Sequence, residues 1–223
     1  WLHGRGGTPR AFIPMAQRLD AAIREGRAPA MIAVGVNGLM QSMYCDALSG
    51  DQPAESVIVK DLVPHVDKHH RTQADRDHRA LEGFSMGGFG AGHLGFKYPR
   101  RFGPISMWGG AMHTAEFFET ERPEIFDEVF GGDAAYCRAN LPQTLAADNV
   151  RALRKNHPIR ITVGADDPLR PKNERLHELL RTLSIPHDYV VVRGASHAVT
   201  AVHDRFPGNP WAFYASIWPE WVR

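Results

Sequence analysis

Cysteine is scarce: Cys45 and Cys137 are the only two in 223 residues. That is too few for a disulfide framework and lacks the paired spacing of a zinc site, although one bridge between them stays open. A dominant charge is also missing. The 26 basic and 25 acidic side chains leave a formal net charge of +1 and are mixed along the chain, which excludes the electrostatic footprint of a nucleic-acid binder. No apolar run approaches the roughly 20 residues of a spanning helix, so a soluble chain without a membrane span is expected. The chain opens at Trp1-Leu2-His3-Gly4 without Met and without a charged-then-apolar leader. It therefore reads as processed or truncated, and its compartment stays undetermined. Internal repeats and low-complexity linkers are absent as well.

What remains is a chain long enough to bury a full core. Short apolar runs recur at Pro29–Gly35, Ala80–Phe84, Gly103–Trp108, Ile159–Gly164 and Tyr189–Val192, each suited to a strand covered on both faces. Between them lie helical patterns. Phe12, Ala16, Leu19 and Ile23 share a face, as do Leu176, Leu179, Leu180 and Leu183, with Pro171 in the first turn of the latter. Ser56 to His69 also reads as helical, with Pro64 expected to distort it. Alternating strand and helix predicts an α/β fold, a mostly parallel sheet with helices on both faces. The expectation is one domain over 1–223, with a polar, lid-like insertion at about 111–155 over the top of the sheet.

Gly83-Phe84-Ser85-Met86-Gly87-Gly88 follows a predicted strand and precedes a helix expected to begin near Phe89. This is the context of a G-x-S-x-G elbow, in which glycines two residues either side of the serine remove Cβ atoms that would collide across a strained turn. Ser85 is the candidate nucleophile. A serine hydroxyl needs a histidine to take its proton and a carboxylate to orient that histidine. Of 12 histidines, His197 is selected because Gly194-Ala195-Ser196-His197 leaves the last apolar strand at the sheet edge that also carries the elbow. Asp166 and Asp167 both leave the strand ending at Gly164. Asp167 is favoured, since Asp166 lies nearer the strand end and suits a local backbone acceptor. Two backbone N–H groups must face the oxygen that becomes anionic. Met86 is the first candidate and Arg5, in Leu2-His3-Gly4-Arg5-Gly6-Gly7, the second. The Arg5 guanidinium could in addition hold a carboxylate or phenolate of the substrate.

These segments, with Asp61-Leu62-Val63-Pro64-His65-Val66, Lys97-Tyr98-Pro99, Phe102-Gly103 and Gly164 to Leu169, resemble the "Putative esterase" family of α/β hydrolases. Esterase D, feruloyl esterases, enterochelin esterases and mycolyltransferases belong to it, and the likeness covers nearly the whole chain. The resemblance implies an α/β-hydrolase fold and a Ser85, Asp167 and His197 triad. It also implies an oxyanion hole at Met86 and Arg5, no metal, no cofactor, and a small-molecule ester as substrate, aryl or feruloyl esters included. It accounts for Pro64, a proline common at that place in the family. Two departures stand out. Trp108-Gly109-Gly110 replaces a smaller Ser-Gly turn, leaving the acyl pocket's shape open, and strands that normally precede the Leu2 segment are missing.

Three other readings are weighed. Acyl transfer to a sugar or alcohol would use the same triad. A non-catalytic binding module would not need serine, acid and histidine together. A metal site at His65, His69 and His70 competes with ordinary helix-surface histidines. The aromatic cluster Trp211, Phe213, Tyr214, Trp218 and Trp221 is expected to pack a terminal helix on the sheet. Acyl and alcohol specificity and oligomeric state are not encoded in local pattern.

Overall fold

The computed structural model describes residues 1–155 and 158–222. Four strands, β1 (Leu81–Phe84), β2 (Ile105–Trp108), β3 (Ile159–Gly164) and β4 (Asp188–Val192), lie side by side in chain order. All pairings are parallel, with Leu81 beside Ile105, Ile105 beside Ile159 and Ile161 beside Tyr189. Prolines mark two strand starts. Pro104 and Pro158 precede β2 and β3, where a missing N–H costs no ladder bond, and their carbonyls accept from Leu81 and Ile105.

The run Pro29–Gly35, expected as a buried strand, is not one. Leu2 makes isolated parallel bridges to Val36 and to Gly83, and Ile32 is 52% exposed. A strand exists through its neighbour's hydrogen bonds rather than its own hydropathy. Only Trp1 and Leu2 lie between this run and β1, so one bridge forms and no ladder.

Alternation along the strands sorts side chains into two layers. Leu81, Ile105, Met107, Ile159 and Ile161 join the largest core, with Phe89, Leu94 and Phe96 of helix Met86–Lys97 and Leu176 and Leu180 of helix Arg170–Thr182. The connection from β2 to β3 forms five short helices, Ala115–Glu121, Pro123–Phe130, Ala134–Ala139, Pro142–Asp148 and Val150–Leu153. Its Phe118, Ile125, Val129, Phe130, Leu141 and Leu153 enter that same core. On the other side, helix Ile13–Arg24 buries Met15, Leu19 and Ala22 against Trp211, Tyr214 and Trp218. The buried stripe lies about one position off the predicted one, leaving Phe12 and Ile23 at its margin.

Residues 54–69 run as α-helix, π-helix and α-helix in turn, with the π segment at Val57–Leu62. Pro64 is the cause, having no N–H and a ring that crowds the carbonyl four residues back. The Val63 N–H reaches five residues back, to Ile58, and the wider turn makes room.

Two buried polar assemblies brace the layers. Arg160, 2% exposed, lies 3.3 Å from Glu82, donates to Ser106 Oγ at 3.0 Å and to the Pro210 carbonyl at 2.5 Å. Its guanidinium stands 4.6 Å from the Phe213 ring centroid and 5.1 Å from that of Trp108, so this charge is both hydrogen-bonded and stacked. In the main core, Glu55 accepts from His93 Nε2 at 2.6 Å, from Lys97 at 2.8 Å and from the Tyr98 hydroxyl. His93 Nδ1 in turn meets the Asn140 carbonyl at 2.8 Å.

Burial alone would raise the Glu55 carboxyl, but hydrogen bonds from His93, Lys97 and Tyr98 outweigh it and hold the group down at about 2, against an ordinary 4.5. A depressed acid contributes stability that is complete above its unfolded value and lost as pH falls toward its folded one. Unfolding free energy should therefore decline between about pH 4.5 and 2 through this group. Glu55→Ala, which leaves Lys97 and His93 Nε2 without their acceptor, should cost about 3–5 kcal/mol at neutral pH. Urea titrations at pH 7 and pH 3 test both: the gap between wild type and variant should shrink at the lower pH, and a constant gap would contradict the assignment.

Candidate active site

The site begins with a backbone contact. Ser85 links β1 to helix Met86–Lys97 with φ 59° and ψ −115°, a conformation that costs a non-glycine residue free energy. Two glycines permit it. A Cβ on Gly83 would fall inside the Gly87 carbonyl, and one on Gly87 would fall inside the Leu2 carbonyl. The Ser85 N–H donates to Trp108 O at 2.9 Å, and its carbonyl accepts from Phe89 and Ala111 at 3.0 Å. The helix starts at Met86, not near Phe89 as expected. Gly87 and Gly88 mask its start in the sequence because glycine disfavours helix, yet residues Met86 to Phe96 are all buried and packing overrides propensity.

The structure brings Ser85, Asp167 and His197 together. The Ser85 hydroxyl lies 2.9 Å from His197 Nε2, and His197 Nδ1 lies 2.8 Å from Asp167 Oδ2. A carboxylate only accepts, so Nδ1 carries the proton and Nε2 is free to accept from the serine. The Asp167 side chain is fully buried, while the imidazole is 29% exposed, open to a reactant on one side. Its other side rests on Phe84, with ring centroids 4.6 Å apart. Gly109, at φ 50°, keeps this space clear: a Cβ there would lie 3.0 Å from Asp167 Oδ2 and 3.5 Å from His197 Cε1.

Asp166 is at the surface. The local acceptor of this turn is Asp167 itself, whose Oδ1 takes the Leu169 N–H at 2.7 Å. One carboxylate serves both purposes because its two oxygens are independent acceptors.

The Gly4–Arg5 backbone passes beside the nucleophile, since a Cβ on Gly4 would sit 3.3 Å from Ser85 Cβ. Met86 opens a helix, so its N–H has no intrahelical acceptor. The Arg5 side chain is exposed and lies 3.6 Å from Glu124.

Three side chains that sequence reasoning missed hold these loops. His3, fully buried, places Nδ1 2.8 Å from Gly4 O while Nε2 accepts from the Gly38 N–H at 3.0 Å. Tyr44 donates to the His3 carbonyl at 3.1 Å. Asn173 clamps Gly110, accepting from its N–H at 3.1 Å and donating to its carbonyl at 2.9 Å. A histidine flanked by Leu2 and Gly4 gives a faint signal, whereas Asn173, near the start of its helix, gives none. His65 and His69 stack on one helix face, with centroids 4.3 Å apart, and His69 Nδ1 contacts the His65 carbonyl. Cys45 and Cys137 are both buried free thiols.

Comparison with known proteins adds the following. A sequence model of the family described as "Putative esterase" matches residues 1–213. An endo-1,4-beta-xylanase/feruloyl esterase of Xylanibacter ruminicola is 28% identical over 116 residues, covering 51% of this chain and 16% of that protein. This chain thus spans a small part of that relative's length. Among solved structures, a ferulic acid esterase superposes with TM-score 0.73 at 22% identity, covering 100% of this chain and 83% of the other. FphF, a fluorophosphonate-binding serine hydrolase of Staphylococcus aureus, gives TM-score 0.76 at 16% identity, covering 100% and 82%. The fold is that of the α/β-hydrolase esterases.

The glycine contacts carry a prediction. Gly87→Ala should destabilise the protein by about 2–3 kcal/mol, because backbone rather than a mobile side chain meets the new methyl. Gly50→Ala is the comparison for a strained backbone without crowding, since Gly50 has φ 83° and nothing within 4 Å of its Cβ position. Thermal unfolding followed by circular dichroism should show the larger loss at Gly87.

Proposed function

This chain belongs to the "Putative esterase" family, and from that premise we propose that it is a serine carboxylic-ester hydrolase in which Ser85 is acylated. The observation that carries the reading is the unbroken hydrogen-bond chain from Asp167 through His197 to the Ser85 hydroxyl, 2.8 Å and 2.9 Å.

Chemistry follows from that order. As Ser85 Oγ attacks the ester carbonyl, its proton passes to His197 Nε2, and the new imidazolium is stabilised by Asp167. The carbonyl oxygen becomes anionic between the N–H groups of Met86 and Arg5, near the positive end of the helix that Ser85 caps. His3 Nδ1 holds the Gly4 carbonyl and Tyr44 holds the His3 carbonyl just before it, leaving the N–H groups of the Gly4–Arg5 strip to face the reactant. His197 then gives its proton to the leaving alcohol, producing an acyl-Ser85. Water, deprotonated by the same imidazole, attacks that ester and releases the acid. Apart from the ester and water, these transfers use groups of the chain alone.

The substrate class is carboxylic esters of small molecules. Aryl esters or feruloyl-type esters are the ones to try first, the latter because the similar proteins include a feruloyl esterase and a ferulic acid esterase. The helices between 115 and 153 serve in this reading as the cover on the acyl side, within one domain.

Ser85→Ala should lower kcat/KM for p-nitrophenyl acetate by a factor on the order of 10⁴ to 10⁶ with little change in Tm. Asp167→Asn should lower kcat by roughly 10⁴, since its amide favours the wrong imidazole tautomer. A fluorophosphonate probe followed by peptide mapping should label Ser85. Label elsewhere, or full activity in the alanine variant, would remove Ser85 from this role.

A further inference from the structure

A second cluster gathers on His113, two residues along the chain from the Ala111 N–H that meets the Ser85 carbonyl, and takes no part in the mechanism above. Lys172 sits in the first turn of helix Arg170–Thr182, which holds no acidic residue in that turn. The helix N-terminus attracts anions, so Lys172 and Arg170 stand where the macrodipole disfavours cations. The Lys172 ammonium lies 2.6 Å from His113 Nδ1 and 3.7 Å from the Phe117 ring centroid. His113 and Phe117 stack with centroids 3.9 Å apart, and the Arg122 guanidinium lies 5.8 Å from the same phenyl ring.

An ammonium only donates, so His113 Nδ1 accepts and carries no proton. Burial first, then Lys172, Arg122 and Arg5, push the His113 imidazole down to about 3, which keeps it neutral. Lys172 is itself lowered, by burial and then by Arg175 and Arg122. Among the described residues, neither Lys172 nor Arg122 has a carboxylate within ion-pair distance. Glu121 meets Arg122 through its backbone carbonyl at 2.6 Å, and the Glu124 carboxylate is 3.6 Å from Arg5. Two partly buried cations therefore face a neutral imidazole and an aromatic ring instead of an anion.

The cluster is tied to the nucleophile by a short strip of backbone. Asn173, next to Lys172, clamps Gly110, the Ala111 N–H donates to Ser85 O at 3.0 Å, and His113 follows two residues later. Two residues span at most about 7 Å of backbone, so His113 follows closely on the residue that meets the Ser85 carbonyl.

Resting on the esterase reading, we propose that the preferred ester carries an oxyanion, a carboxylate or its equivalent, on one of its halves, and that Lys172 and Arg122 bind it while Ser85 attacks the ester carbonyl. The contact orients the substrate, and the cations are positioning residues that leave the bond-making steps unchanged.

Matched ester pairs test this. Mono-p-nitrophenyl succinate against p-nitrophenyl butyrate places the anion on the acyl half, and para-acetoxybenzoate against phenyl acetate places it on the alcohol half. In at least one pair the anionic ester should have the higher kcat/KM, by roughly tenfold and mainly through KM. That advantage should fall as sodium chloride is added. In Lys172→Gln/Arg122→Gln the anionic-to-neutral ratio should drop by roughly tenfold, and Lys172→Arg should retain it. If the double variant does not fold, the ratio and its salt dependence in the wild type decide. The proposal is overturned if the neutral ester is preferred in both pairs, or if both members of each pair respond alike to the substitutions. Ser85→Ala separates the two readings. Activity that survives it on every ester overturns the esterase reading and this one with it. A dead Ser85→Ala beside an unchanged ratio in the double variant overturns this one alone.

Discussion

The site depends on one close approach, backbone against backbone, where Gly87 meets both Gly83 and the Leu2 carbonyl. No side chain fits there, and the absence of Cβ atoms lets a strand turn into a helix within a single residue. Ser85 occupies that residue with a positive φ, so its hydroxyl stands off the sheet edge and its helix dipole points at the reaction centre. Every later feature is measured from it: the Gly4–Arg5 strip, the loop after β2 and the imidazole all come within a few ångströms of this turn.

Around the turn, loops are held by hydrogen bonds that do no chemistry. His3 and Tyr44 fix the first strip, Asn173 fixes Gly110, and the second oxygen of Asp167 fixes its own turn at Leu169. Each bond spends a side-chain group on backbone, which keeps loops on a rigid sheet from drifting. The core makes a similar investment on a larger scale. Arg160 and Glu55 are buried charges, each with several partners, one on either side of the sheet. Such assemblies contribute less net stability than their contacts suggest, but breaking one leaves a charge stranded, so they hold the layers in a single arrangement.

The cation cluster at Lys172, Arg122 and His113 has a different character. Among the described residues its cations have no carboxylate within ion-pair distance, and Lys172 stands at a helix end that already favours anions. Structure built for stability alone would place an acid there. In the proposed reading, a reactant that brings a negative charge to this cluster would link substrate choice to helix polarity.

Much of this was legible from residue order. Four of the five apolar runs are the four strands, because a parallel strand covered on both faces is apolar at most positions and the short helices between them carry their own period. Gly83, Ser85 and Gly87 announced the elbow, since a backbone clash can be avoided only by deleting Cβ, and that deletion is written in the sequence. His197 stands out among twelve histidines by its place after a strand end, and it does meet Ser85 and Asp167; Asp167 is preferred on the expectation that Asp166 ties the turn, whereas Asp167 itself takes the Leu169 N–H. What tertiary structure alone decided follows from contacts with no local period. Pro29–Gly35 is not a strand because its neighbour supplies one bridge, and the helix begins at Met86 because packing overrides two glycines. His3 and Asn173 act across 35 and 63 residues of separation, and Lys172 meets His113 across 59. Local pattern reports what a residue can do; which partner it meets depends on chain paths that only the packed core determines.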